Sequence, residues 1–138
     1  MTRLTILAFL LLSACTPATP PEGSAAEGAL FFAENCSGCH GTDGKGNGPD
    51  AAGLELRPAD LTQIAARNGG SFPGDWVMNT IDGFHRDAPA GTAMPVFGAD
   101  RFDDVIGDTI IVERTEGIGT PIPVMFVALE SYLASIQE

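Results

Sequence analysis

Cys36-Ser37-Gly38-Cys39-His40 is the stretch on which the fold turns. Two thiols separated by two residues can form thioether bonds to the two vinyl groups of one macrocycle. The imidazole directly after the second Cys then lies under the ring plane, where it can ligate iron. C-x-x-C-H is the pattern of covalent haem c attachment, so Cys36 and Cys39 are the expected attachment points and His40 the expected proximal ligand. Three plainer readings compete. A disulfide between Cys36 and Cys39 would close a very small loop and leave His40 unexplained. A thioredoxin-like redox pair belongs beside a βαβ pattern, and no such alternation surrounds these residues. A zinc site takes four ligands. With Cys15 set aside, Cys36, Cys39, His40 and His85 remain, at a spacing unlike a common zinc module.

The rest of the composition fits one small domain. The chain has 138 residues, seven Lys+Arg against eighteen Asp+Glu, and a formal charge of −11. That balance excludes nucleic acid as the expected partner, because phosphate binding needs a basic patch. Apolar residues make up 44%, enough to bury a core. Seventeen Gly and ten Pro make the chain loop-rich, and aromatics are only 7%. Something other than side chains is therefore expected to fill part of the core.

The first fourteen residues read as a signal peptide rather than as fold. Arg3 is followed by the run Leu4 to Leu12, apolar except for Thr5 and too short to span a bilayer. It ends in Leu12-Ser13-Ala14-Cys15, which resembles a bacterial lipobox. Cys15 would then carry lipid and begin the mature chain. Residues 15–23 form a Pro-rich spacer, and residues 24–138 the domain. An ordinary cleaved signal or an uncleaved anchor is the alternative. Export implies the periplasmic side of a bacterial membrane and an oxidising compartment. The cysteine count closes on this reading: Cys15 takes lipid, Cys36 and Cys39 take haem.

Gly28 through Gly41 (GALFFAENCSGCHG), Gly46-Asn47-Gly48-Pro49, Met94-Pro95-Val96-Phe97-Gly98 and a last helix containing Tyr132-Leu133 together resemble a class I cytochrome c, a small monohaem electron carrier. The resemblance spans roughly residues 24 to 136. It implies an all-α fold, about four helices around one covalently bound haem c, with the first and last helices crossing where Gly28 allows close approach beside Phe32 and Tyr132. It also implies that the Pro49 carbonyl accepts the Nδ1–H of His40. Arg57, by its charge, and Trp76, by its indole N–H, are candidates for contacts to the haem propionates. A surface Arg and a core Trp are the plain alternatives.

Iron held by one His takes a second axial ligand or keeps an open site. Met94 precedes Pro95, which pushes it toward extended backbone and stiffens a loop that can aim the thioether inward. In the family the distal ligand comes from such a Met-Pro loop, so Met94 is the expected second metal ligand. Met78, in a helical pattern, and His85, beside Arg86 and Asp87 in a polar loop, are the alternatives. Met125 shares a helix face with Leu129, Tyr132, Leu133 and Ile136 and reads as core.

Around these residues the local signals place four helices. Ser24-Ala25-Ala26-Glu27 is a capping box opening a helix to about Asn35. A second is expected over about 59–67, entered after Pro58 and ended by Asn68-Gly69-Gly70. A third covers about Gly74–Asp82, and a fourth about Val124–Gln137. Between Met94 and the last helix, the β-branched run at 108–113, a turn at 116–119 and a return over 120–124 predict a small β-hairpin insert. Its neighbourhood carries Asp103, Asp104, Asp108, Glu113 and Glu116, either a docking face or a solvated surface.

These readings favour an electron carrier over an enzyme: two axial ligands leave iron no place for substrate, so no small-molecule substrate is expected. The expected partners are redox proteins with a basic docking patch, and the membrane through the N-terminal lipid. The rivals are a dedicated electron-transfer subunit of a larger oxidoreductase, a haem-based sensor with an open distal site, and a structural lipoprotein without haem.

Overall fold

Helix formation begins where the sequence supplies a cap ahead of an apolar run. In the computed structural model, which describes residues 22–83, 94–97, 108–115 and 118–138, α1 spans Ala25–Asn35. The Ser24 hydroxyl accepts from the Glu27 N–H at 3.3 Å. The Glu27 carboxylate reaches back one residue further than a standard box, to the Gly23 N–H at 2.6 Å. The expected lipobox Cys15, the 1–14 segment, residues 15–21 of the expected spacer, His85, Asp103, Asp104 and Glu116 lie outside the described residues.

After α1 the chain turns at Cys36 into α2 (Ser37–His40), a single turn. A 3-10 turn follows at Pro49–Ala51 and another at Leu61–Gln63, which leads into α3 (Ile64–Arg67). α4 spans Gly74–Asp82 and ends at Gly83 as expected. The strands β1 (Thr109–Thr115) and β2 (Ile118–Pro123) pair antiparallel, with Ile111 opposite Pro121 and a register irregularity between Glu113 and Thr115. α5 spans Val124–Ser135. The hairpin insert is therefore present, with strands running closer to the turn than expected. The helices number five among the described residues, because α2 is nested inside the Cys-x-x-Cys-His stretch.

The expected helix over 59–67 is not continuous. Its first part is 3-10 and its second part α, because the i→i−4 bond that would join Ala65 to Leu61 is not made between them. Both groups are taken by the side chain of Gln137, with the Ala65 N–H donating to Oε1 and the Leu61 carbonyl accepting from Nε2.

α1 and α5 pack directly on each other. Gly28 is buried against α5, and a Cβ there would overlap the Ala128 carbonyl. Only a residue without a side chain lets the backbones come this close. Phe32 and Tyr132 pack beside the contact with ring centroids 5.2 Å apart and the rings tilted by 48°. Phe31, Val77, Met78, Ile81, Leu129 and Leu133 complete a core that joins α1, α4 and α5. No helix among the described residues is long and apolar enough to cross a membrane.

Candidate functional site

α1 delivers the Cys-x-x-Cys-His stretch to the edge of that core. The Cys36 N–H is still bonded to the Phe32 carbonyl at 2.9 Å, and the His40 N–H returns to the Cys36 carbonyl at 2.9 Å. One helical turn thus puts Cys36 and Cys39 on one side with His40 beside them. A helix this short leaves its last carbonyls without internal partners. The glycine-rich loop supplies them: the Gly46 N–H donates to the His40 carbonyl at 2.7 Å, and the Gly48 N–H to the Cys39 carbonyl at 3.1 Å. Gly46 has φ +73°, and a Cβ there would overlap the Pro58 carbonyl. The loop can fold this tightly onto the motif only with glycine at that position.

Above α2 lies a cavity of about 670 Å³, within the range of about 300–1,000 Å³ that holds cofactors and drug-sized ligands. Cys36, Cys39 and His40 line it on one side, Met94 and Pro95 on another. The Met94 segment is tied to α4 by the Phe97 N–H, which donates to the Ile81 carbonyl at 3.2 Å. Phe97 itself is buried edge-on against Phe31, 6.4 Å between centroids. The two residues expected as axial ligands are therefore brought to one space by separate elements.

Electrostatics narrows what the motif can do. Cys36 and Cys39 are free thiols, so the small-loop disulfide is not formed. Burial, with Cys39 adding to it, pushes the Cys36 thiol up to about 12. A thiol held protonated is a poor redox nucleophile, which speaks against a thioredoxin-like pair. No group of three or more His, Cys, Asp or Glu gathers into a metal-ion site among the described residues. His40 Nδ1 lies 3.2 Å from the Ala59 carbonyl. A carbonyl can only accept, so Nδ1 carries the proton. Burial lowers the imidazole pKa, opposed in part by that hydrogen bond. His40 is thus neutral at pH 7, and its Nε2 lone pair is the one left for a metal.

The Ala59 bond corrects the expectation for Pro49. Pro49 opens the 3-10 turn, its carbonyl accepts from the Ala52 N–H at 3.3 Å, and it does not line the cavity. The Gly48–Cys39 bond holds that turn against the outside of α2, so the carbonyl facing His40 comes from the 57–60 segment instead. Arg57 and Trp76 both line the cavity. The Arg57 Nε donates to the Gly46 carbonyl at 3.2 Å, and Trp76 is 55% exposed at the rim. Met78, by contrast, is buried in the core between helices and does not line the cavity. The sequence reading missed Ala59 and Arg67, the latter another cavity-lining cation. A backbone carbonyl leaves no trace in residue type, whereas Arg67 could have been flagged as one of few cations in an acidic chain.

A family model described as cytochrome c matches residues 25–106. The chain belongs to the cytochrome c family. No curated protein and no solved structure matches it. Membership fits the cavity: a covalently attached macrocycle needs two thiols at its wall, an imidazole with Nε2 unblocked, and an apolar space, and this chain has all three. The protein is a haem-based electron-transfer protein of mainly helical fold, with a small two-stranded sheet. The matched segment stops short of the hairpin and α5.

Proposed function

We propose that this protein is a monohaem c-type cytochrome with His40 and Met94 as axial ligands, anchored through lipid on Cys15 at the periplasmic side of a bacterial membrane, where it passes single electrons between redox proteins. The observation that carries the proposal is the convergence of Cys36, Cys39, His40 and Met94 on one cavity. Haem, when bound, supplies an iron that cycles between ferrous and ferric states. Cys36 and Cys39 would hold the macrocycle through their sulfurs. His40, oriented by Ala59, and the thioether of Met94 would fill both axial positions and leave no site for substrate. Arg57 and Trp76, which line the cavity with Arg67, would contact the propionates. The helical core holds these groups in place through a change of one charge, which keeps reorganisation small.

The net charge supports a partner with a basic docking patch, since opposite fields speed weak encounters. A dedicated subunit of a larger oxidoreductase is the second reading. It is favoured by exposed apolar side chains lining the cavity, Leu56 at 64% and Trp76 at 55%.

The test is an optical spectrum of the chain expressed with haem maturation enzymes, comparing wild type with Met94→Ala in both oxidation states and with carbon monoxide added to the reduced forms. The expected wild type shows a c-type spectrum, the weak far-red band of Met on ferric iron, and no response to carbon monoxide. The variant loses the band and binds the gas. A wild type that binds the gas readily would sink the axial assignment and favour a sensor.

A further inference from the structure

The break in the 59–67 segment is where a distant side chain enters. In an unbroken helix the Ala65 N–H would donate to the Leu61 carbonyl. Here the Gln137 amide stands between them: Nε2 donates to the Leu61 carbonyl at 2.8 Å, and Oε1 accepts from the Ala65 N–H at 2.8 Å. The same Nε2 donates to the Leu133 carbonyl at 2.6 Å, which fastens the amide to the end of α5. The Glu138 N–H adds a bond to the Thr62 carbonyl at 2.9 Å. Thr62 is buried, and its N–H and hydroxyl both donate to the Asp60 carboxylate, at 2.9 and 2.7 Å. The Leu61 N–H donates to the Gly44 carbonyl at 2.8 Å, in the loop that follows His40. Ala59, whose carbonyl faces His40 Nδ1, is the next residue along this restrained strip.

We propose that Gln137 is a positioning residue for His40: its amide, inserted between Leu61 and Ala65, holds the 59–65 strip so that the Ala59 carbonyl stays on the imidazole N–H. The inference rests on the reading of His40 as an iron ligand. Closing the helix by a direct Ala65-to-Leu61 bond would draw residue 61 toward residue 65 and pull the preceding Ala59 carbonyl with it. The amide acts as a spacer that prevents this. An imidazole whose Nδ1–H is hydrogen-bonded is a more basic ligand, and a more basic ligand favours ferric over ferrous iron. Loosening the bond should therefore raise the reduction potential. It should also expose the Nδ1 proton to solvent.

The experiment compares wild type, Gln137→Leu, Gln137→Glu and Val124→Ala in the haem-loaded full chain. Leu keeps the bulk and removes all three hydrogen bonds. Glu keeps an acceptor for Ala65 but sets an oxygen against the Leu61 and Leu133 carbonyls, so it serves if the Leu variant does not fold. Val124 is buried at the opposite end of α5, so Val124→Ala lowers stability without touching the amide. The readouts are the midpoint potential and the solvent exchange of the His40 Nδ1 proton in the ferrous protein by NMR. Both Gln137 variants should shift the potential upward and speed that exchange about tenfold, the worth of roughly one hydrogen bond, while Val124→Ala moves neither. If the Gln137 variants lose stability as Val124→Ala does but keep wild-type potential and exchange, the role is structural and the proposal fails alone. A wild type that takes up no haem overturns the ligand reading itself, and the proposal with it.

Discussion

Gly28 and Ala128 meet so closely that the first and last helices touch through backbone, with no room for a Cβ on Gly28. Two effects oppose each other at this position. Replacing Gly by Ala inside a helix gains about 0.5–1 kcal/mol from backbone entropy. Overpacking a tight interface costs typically about 1–3 kcal/mol. Because the obstacle is the Ala128 carbonyl rather than a flexible side chain, overlap should win. Gly28→Ala is expected to lower the thermal unfolding midpoint and to weaken the Phe32–Tyr132 contact beside it. An unchanged or raised midpoint would show that the crossing has slack.

The axial assignment makes a separate prediction for the methionine that it excludes. Met78 sits on α4 with its side chain buried in the core and away from the cavity lining. Leu conserves its volume, and such swaps usually cost less than about 1.5 kcal/mol. Met78→Leu should therefore leave the visible spectrum, the far-red band and the potential unchanged, with at most a small loss of stability. Disappearance of the far-red band in this variant would make Met78 the ligand and overturn Met94.

What the sequence disclosed depended on how local the signal was. Ser24 and Glu27 mark the start of α1, and Gly83 marks the end of α4, because caps act within one turn. The β-branched run at 110–112 announced the hairpin for the same reason. Cys36, Cys39 and His40 were legible because the C-x-x-C-H pattern of covalent haem attachment has a fixed spacing. The break between Leu61 and Ala65 was not legible, since the residue that causes it lies 72 positions away. The exchange of Pro49 for Ala59 as the carbonyl on His40 was not legible either. Every residue has a carbonyl, and only the fold decides which one arrives.

Trp76 offers a direct view of the cavity because it is the chain's one tryptophan. Its ring lines the cavity and is 55% exposed. A haem held there would quench indole fluorescence by energy transfer over so short a distance. The loaded protein should be almost dark on tryptophan excitation. The Cys36→Ser, Cys39→Ser double variant, which cannot form the thioethers, should emit strongly. Bright fluorescence from fully loaded wild type would mean that haem lies elsewhere.

Asp60 sets the acid limit of the strip that faces His40. The hydrogen bond from the Thr62 hydroxyl, then that from its N–H, holds the Asp60 carboxyl below the ordinary carboxylate range, with Lys45 and Arg67 adding to it. A carboxylate whose pKa is lower folded than unfolded stabilises the fold at pH above its unfolded value, about 3.9. That contribution fades as pH falls through the folded value, because the protonated group no longer prefers the native state. Asn at the same place can still accept from Thr62 as a helix cap, but it does not titrate. Asp60→Asn should therefore differ little from wild type at pH 7. Its unfolding midpoint should fall less steeply as pH drops from about 5 through the unfolded value of about 3.9 and below. The measurement is a series of thermal melts across that range. Parallel acid limbs for the two proteins would show that Asp60 keeps its Thr62 bonds in the unfolded chain or does not make them when folded.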